Sequence, residues 1–109
     1  MAHDILYVNP QGESQKYIFE FDDDLTGDAA LNDIGSGSTI TAYDSAGVDK
    51  SSTILSSKTR TAMQLSVVIG SLTEGEDYRI EFLGQGSTSS LKVIKVLELR
   101  ARKLITGAA

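Results

Sequence analysis

The sequence predicts an all-β domain in which two antiparallel layers hold about seven strands. Three observations predict it. Apolar residues recur with period two in several segments, Gly, Asp and Ser turns separate those segments, and no long stretch repeats its apolar residues every 3.6 positions. The 109 residues suit one domain, 1–109, with one core. Residues 1–12 read as an N-terminal arm or short strand, and residues 101–109 as a C-terminal tail.

Taken in order, Ile5-Leu6-Tyr7-Val8 is a short apolar run closed by the turn signal Asn9-Pro10-Gln11-Gly12. Over residues 15–21, Tyr17, Phe19 and Phe21 point one way and Lys16 and Glu20 the other, as in a half-buried strand. Asp22-Asp23-Asp24 ends it, because adjacent carboxylates repel and seek water. Residues 26–37 are irregular: Gly35-Ser36-Gly37 marks a loop, and residues 28–33 read as a single helical turn. Residues 38–44, with Thr, Ile and Tyr43, read as a strand, and Ser45-Ala46-Gly47 as its turn. Residues 48–55 read as a weak strand and residues 56–61 as a polar connection.

The second half is more regular. Residues 62–69 set Met63, Leu65, Val67 and Ile69 on one face, with Gln64 and Ser66 opposite. Residues 77–83 turn Tyr78, Ile80 and Phe82 inward and Arg79 and Glu81 outward. After a Gly/Ser turn over residues 84–90 comes the longest strand, 91–100, with Leu91, Val93, Leu97 and Leu99 in phase. Lys95 breaks that phase, while Ile94 and Val96 lie on the other face. Either a bulge near Lys95 or a strand apolar on both faces, covered by another chain, accounts for this.

Composition excludes several function classes. Without cysteine there is no disulfide framework and no thiolate metal site. The first residues lack the basic and apolar regions of a signal peptide, so synthesis and assembly in a cytoplasm are expected. No apolar run approaches the ~20 residues that span a bilayer, so no membrane partner is expected. The net charge of −5 is uneven: residues 1–49 carry ten acids against Lys16, giving −9, and residues 50–109 carry nine bases against five acids, giving +4. Both sets read as solvated surface, or as the two poles of a domain whose acidic side meets the basic side of a neighbouring copy. An acidic total argues against nucleic acid, which demands a concentrated basic face.

No catalytic constellation emerges. His3, the sole histidine, stands at the chain end, which leaves no base for a Ser-His-Asp arrangement. Asp22-Asp23-Asp24 with Asp28 offers oxygens to calcium, but the spacing departs from an Asp-x-Asp-x-Asp-Gly loop, and solvated acids at a strand end are commoner. Glu74, Glu76 and Asp77 read as turn residues. The expectation is no enzyme, no metal and no cofactor.

The most specific pattern is Leu72-x-x-Gly75-x-x-Tyr78-x-Ile80-x-Phe82. Leu72 would plug the core as the chain leaves one layer, and Gly75 would supply a positive φ. Tyr78 would start the next strand, its ring in the core and its hydroxyl bonded to nearby backbone. This corner resembles the connection between the fifth and sixth strands of fibronectin type III and related sandwiches, with Thr73-Glu74 where that family usually carries a proline. The resemblance implies an immunoglobulin- or fibronectin III-like antiparallel β-sandwich.

A wider resemblance rests on four elements: Tyr17-x-Phe19-x-Phe21-Asp22 followed by Leu25, Gly37-Ser38-Thr39-Ile40-Thr41, the corner over residues 72–80, and the Gly/Ser/Thr hairpin over residues 86–90. Together they resemble the small immunoglobulin-like virion proteins of tailed phages, in particular the fibre-tail adaptor group at the neck or tail. That resemblance implies a structural role: a homo-oligomeric ring or collar, a head-tail connector, contacting portal, neck, tail or fibre subunits and assembled in the host cytoplasm. The subunit contacts it suggests are Ile5 and Tyr7 in the N-terminal arm, Ile94, Val96 and Arg100 in the last strand, and Arg102, Lys103, Leu104 and Ile105 in the tail. Two other readings stand beside it: a capsid decoration protein, or a non-viral protein- or carbohydrate-binding module. Against the sugar-binding reading, Trp is absent, and Tyr17, Phe19, Tyr78 and Phe82 fall on core faces.

Overall fold

Seven segments pair their backbone polar groups with a neighbouring segment as strands. The structure, a computed structural model, describes residues 3–8 (backbone path only), 14–22, 24, 25 and 27–101. The strands are β1 (His3–Val8), β2 (Gln15–Glu20), β3 (Thr39–Asp44), β4 (Leu55–Thr61), β5 (Gln64–Ile69), β6 (Asp77–Gln85) and β7 (Lys92–Ala101). A one-turn helix, α1 (Ser51–Ile54), precedes β4. One sheet has the order β1-β7-β6-β3 and the other β2-β5-β4. All neighbours are antiparallel except β1, which runs parallel to β7.

Period-two alternation sends one row of each sheet into a shared core. Phe19 and Phe21, Leu65, Val67 and Ile69 come from the β2-β5 side. Ile40, Ala42, Ile80, Phe82, Leu97 and Leu99 come from the other sheet. The rings of Phe19 and Phe82 meet edge to face across the layers, with centroids 4.9 Å apart, an arrangement that suits aromatic quadrupoles. At one end of the core the Phe21 ring packs against the β6 backbone at Gly84. A methyl group there would sit 2.9 Å from two ring carbons, so the close approach requires glycine.

The chain departs from the sequence expectations at five places. Residues 48–55 are not a strand. The Asp49 carboxylate accepts from the Ser51 amide at 2.8 Å, and the Lys50 carbonyl accepts from Thr53 and Ile54, winding α1 instead. The strand is β4, in the stretch read as a polar connection. As an edge strand it shows water to its side chains, and its register on β5 shifts between Ser56 and Thr59, so apolar alternation is missing.

Residues 28–33 form no helical turn: Leu31 bridges Gly86, and the Asn32 amide donates to the Gln85 carbonyl at 2.7 Å. Leu91 is outside the core, 62% exposed in the hairpin before β7. Finally, β7 has no bulge at Lys95, since its register on β6 runs unbroken. Lys95 keeps the inward phase. Its stem is buried, and its ammonium lies 2.8 Å from the Asp24 carboxylate and 5.1 Å from the centre of the Phe21 ring.

Candidate interaction face

The corner before β6 fixes the end of the four-stranded sheet. Leu72 is buried, and Gly75 turns the chain at φ +86. The Tyr78 ring enters the core, and its hydroxyl accepts from the Thr73 amide at 3.0 Å. Ile80 and Phe82 continue the inward row with no exposure. The Gly75 amide donates to the Ala101 carbonyl at 2.7 Å, and the Ala101 amide to the Glu76 carbonyl at 3.0 Å. The turn thereby grips the last residue of β7 and aims Arg100 outward.

That anchoring builds a polar outer face. In register, Tyr43 of β3 stands beside Arg79 of β6, which stands beside Glu98 of β7. Asp77 likewise stands beside Arg100. Arg79 bonds Glu81 at 2.6 Å, and Arg100 bonds Glu98 at 2.7 Å, with Asp77 4.0 Å from the Arg100 Nε. A shallow groove of about 560 Å³ runs over these side chains and the β3 turn. The turn is held by Asp44, whose carboxylate accepts from the Ala46 and Val48 amides at 2.9 and 3.0 Å. Alternating acids and arginines, each held by its neighbour, give this face a mixed-charge surface.

Among the described residues no group of three or more His, Cys, Asp or Glu side chains could hold a metal ion. Of the acids considered for calcium, Asp24 pairs with Lys95. Asp28 instead latches the hairpin before β7, its carboxylate accepting from the Thr88 and Ser89 amides at 2.8 and 2.9 Å and from the Ser89 hydroxyl at 2.8 Å. The Ser89 backbone bond above all, then its hydroxyl and the Thr88 amide, hold the Asp28 carboxyl below its ordinary range. Asp23 lies outside the described residues. No helix among the described residues is long and apolar enough to cross a membrane.

Of the residues named as subunit contacts, Ile5, Tyr7, Ile94, Val96 and Arg100 lie on the paired strands β1 and β7. Ile94 is open on the outer face, 38% exposed. Val96, by contrast, is 8% exposed in the isolated chain, so it offers no apolar patch. Its strand is flanked on both sides, with Glu81 of β6 and His3 of β1 as its register partners. Ile5 and Tyr7 take register positions beside Glu98 and Arg100, so this part of the N-terminal arm is a strand of its own sheet. Arg100 is half-buried in the ion pairs above. Arg102, Lys103, Leu104 and Ile105 lie outside the described residues.

Sequence reasoning passed over Tyr43, Arg79 and Glu98, because cross-strand neighbours are far apart in sequence. Lys16, Ile18 and Glu20 share the exposed face of β2, in the outward phase opposite Tyr17, Phe19 and Phe21, but spacing does not show that this strand is an edge. Comparison with protein-family models, curated proteins and solved structures finds no significant match.

Proposed function

We propose that the chain is an immunoglobulin-like sandwich serving as a structural protein of a tailed-phage virion, binding neighbouring subunits at the neck or tail or as a fibre-tail adaptor. The observation that carries the reading is the strand order. With the strands lettered A to G in the immunoglobulin manner, β2-β5-β4 corresponds to B-E-D and β3-β6-β7 to C-F-G, with β1 added beside β7. The hydroxyl of Tyr78 on the Thr73 amide supports it independently, since a tyrosine corner at this connection belongs to the same architecture.

A scaffold of this kind works through its surface, and the ion-paired outer face around Arg79 and Arg100 is suited to polar, register-specific contacts with protein. The assignment to a virion, assembled in host cytoplasm, rests on the resemblance of residues 17–25, 37–41, 72–80 and 86–90 to fibre-tail adaptors. Identical copies meeting head to tail would close into a ring.

The test is native mass spectrometry of the purified chain, together with a glycan-binding screen. A closed ring of identical copies that ignores sugars is the expected result. A strict monomer that binds a glycan would overturn the reading in favour of a carbohydrate-binding module.

A further inference from the structure

We propose that two copies of this chain pair edge to edge through β2, antiparallel and centred on Ile18. The direction of the backbone groups comes first. The Phe21 amide donates to the Met63 carbonyl at 2.9 Å, which makes residues 15, 17, 19 and 21 the ones that bond β5. Lys16, Ile18 and Glu20 therefore direct their N–H and C=O groups away from the sheet. Among the described residues nothing bonds to these backbone groups, while the Glu20 carboxylate accepts from the Gln64 side-chain amide at 3.1 Å within its own sheet.

The other fully described edges are closed. On β3 the Ala42 amide donates to the Ser51 hydroxyl at 2.8 Å, and its carbonyl accepts from Lys50 at 2.8 Å. The Asp44 amide is taken by Val48. On β4 the irregularity between Ser56 and Thr59, with Ser57 at φ +51, breaks the edge. Bulges and covering loops are the usual protection of a sheet edge, and among the described residues β2 has neither.

Side-chain order then selects the partner and the register. Lys16, Ile18 and Glu20 are all exposed, with Ile18 at 45%. A two-fold axis at Ile18 sets Ile18 against Ile18, Lys16 against Glu20 and Glu20 against Lys16, all on one face. Both charge pairs are then opposite in sign. A parallel in-register arrangement would instead set lysine beside lysine and glutamate beside glutamate. A slip of two residues would oppose Ile18 to a charge and break the ion pairs. The edge is complementary to itself in one register only, and a second copy is the partner it fits. The three-stranded sheets of the two copies would join into one. Such a contact is isologous, unlike the head-to-tail contacts of a ring, and it does not depend on the virion reading.

The experiment is sedimentation equilibrium of the full chain, with hydrogen exchange at the Ile18 amide as a second readout. Wild type is expected to pair reversibly through this edge, whether as single chains or as chains within rings, with the Ile18 amide protected as concentration rises. Lys16→Glu and Glu20→Lys should each weaken the dimer about tenfold, since each turns two attractive cross-strand pairs repulsive. The double variant K16E/E20K should recover it. Ile18→Pro removes the outward N–H, which an edge position tolerates, and should leave a folded monomer. Equal sedimentation of wild type, K16E and I18P would overturn the proposal, as would a double variant that recovers nothing. A ring that forms while the Ile18 amide exchanges freely would overturn the edge pairing alone and leave the proposed function standing.

Discussion

The Tyr78 hydroxyl and the Thr73 amide, 3.0 Å apart, tie the first residue row of β6 to the turn that precedes it. The bond satisfies an amide that the turn would otherwise leave unpaired in a part-buried site. Tyr78→Phe keeps the ring and deletes the acceptor, and should destabilise the fold by about 1–2 kcal/mol. Urea denaturation of the two proteins measures the difference, and an unchanged midpoint would mean that water replaces the hydroxyl.

Lys95 and Asp24 give a second test. The lysine side chain is only 12% exposed, so its ammonium depends on the carboxylate beside it. Asp24→Asn strands the charge and is expected to cost about 1–3 kcal/mol, whereas Lys95→Met, which keeps the stem over Phe21, should be near neutral. Chemical denaturation of both variants checks the asymmetry. Equal losses would show that the pair itself, and not the stranded ammonium, sets the cost.

Gly84 tests the packing of Phe21. A Cβ at this position meets two ring carbons at 2.9 Å and Leu31 at 3.2 Å, so the Phe21 ring or the β6 backbone would have to shift. Gly84→Ala should therefore destabilise by about 1–3 kcal/mol through overpacking. Thermal unfolding reads it directly.

The Asp28 latch predicts a local response to acid. Its carboxyl is held below the ordinary value of 3.8 in the folded chain, chiefly by the Ser89 backbone bond. A depressed folded value means the stabilisation is complete above the unfolded value and is lost as pH falls through the folded one. Amide exchange at Thr88 and Ser89 should thus accelerate below the ordinary carboxylate range while β6 and β7 stay protected. Asp28→Asn should abolish that pH dependence, as followed by nuclear magnetic resonance across the acid range.

These residues also show what could be read in advance. Tyr17, Phe19 and Phe21, Met63 to Ile69 in alternate positions, and Tyr78, Ile80 and Phe82 each announce a face by period two, and each face is the buried one. The corner was legible because Leu72, Gly75 and Tyr78 act within seven positions of one another. By contrast β4 carries little alternation, since an edge strand with Ser56, Ser57, Lys58 and Thr59 has water on most sides.

Lys95 looked like an interruption because its partner, Asp24, is distant in sequence. The outer-face row Tyr43–Arg79–Glu98 is invisible for the same reason: strand order, not spacing, makes neighbours of them. Lys16, Ile18 and Glu20 were visibly outward, yet that their strand is an open edge follows only from the sheet order.

Two sheets close over one core, where Phe19 of one layer meets Phe82 of the other. The nuclear Overhauser spectrum of the folded chain tests this most directly. Ring protons of Phe19 and Phe82 should show mutual contacts while backbone protons of β2 contact β5 and none on β6. Backbone contacts between β2 and β6 would place them in one sheet, and would contradict both the layered core and the open edge at Ile18.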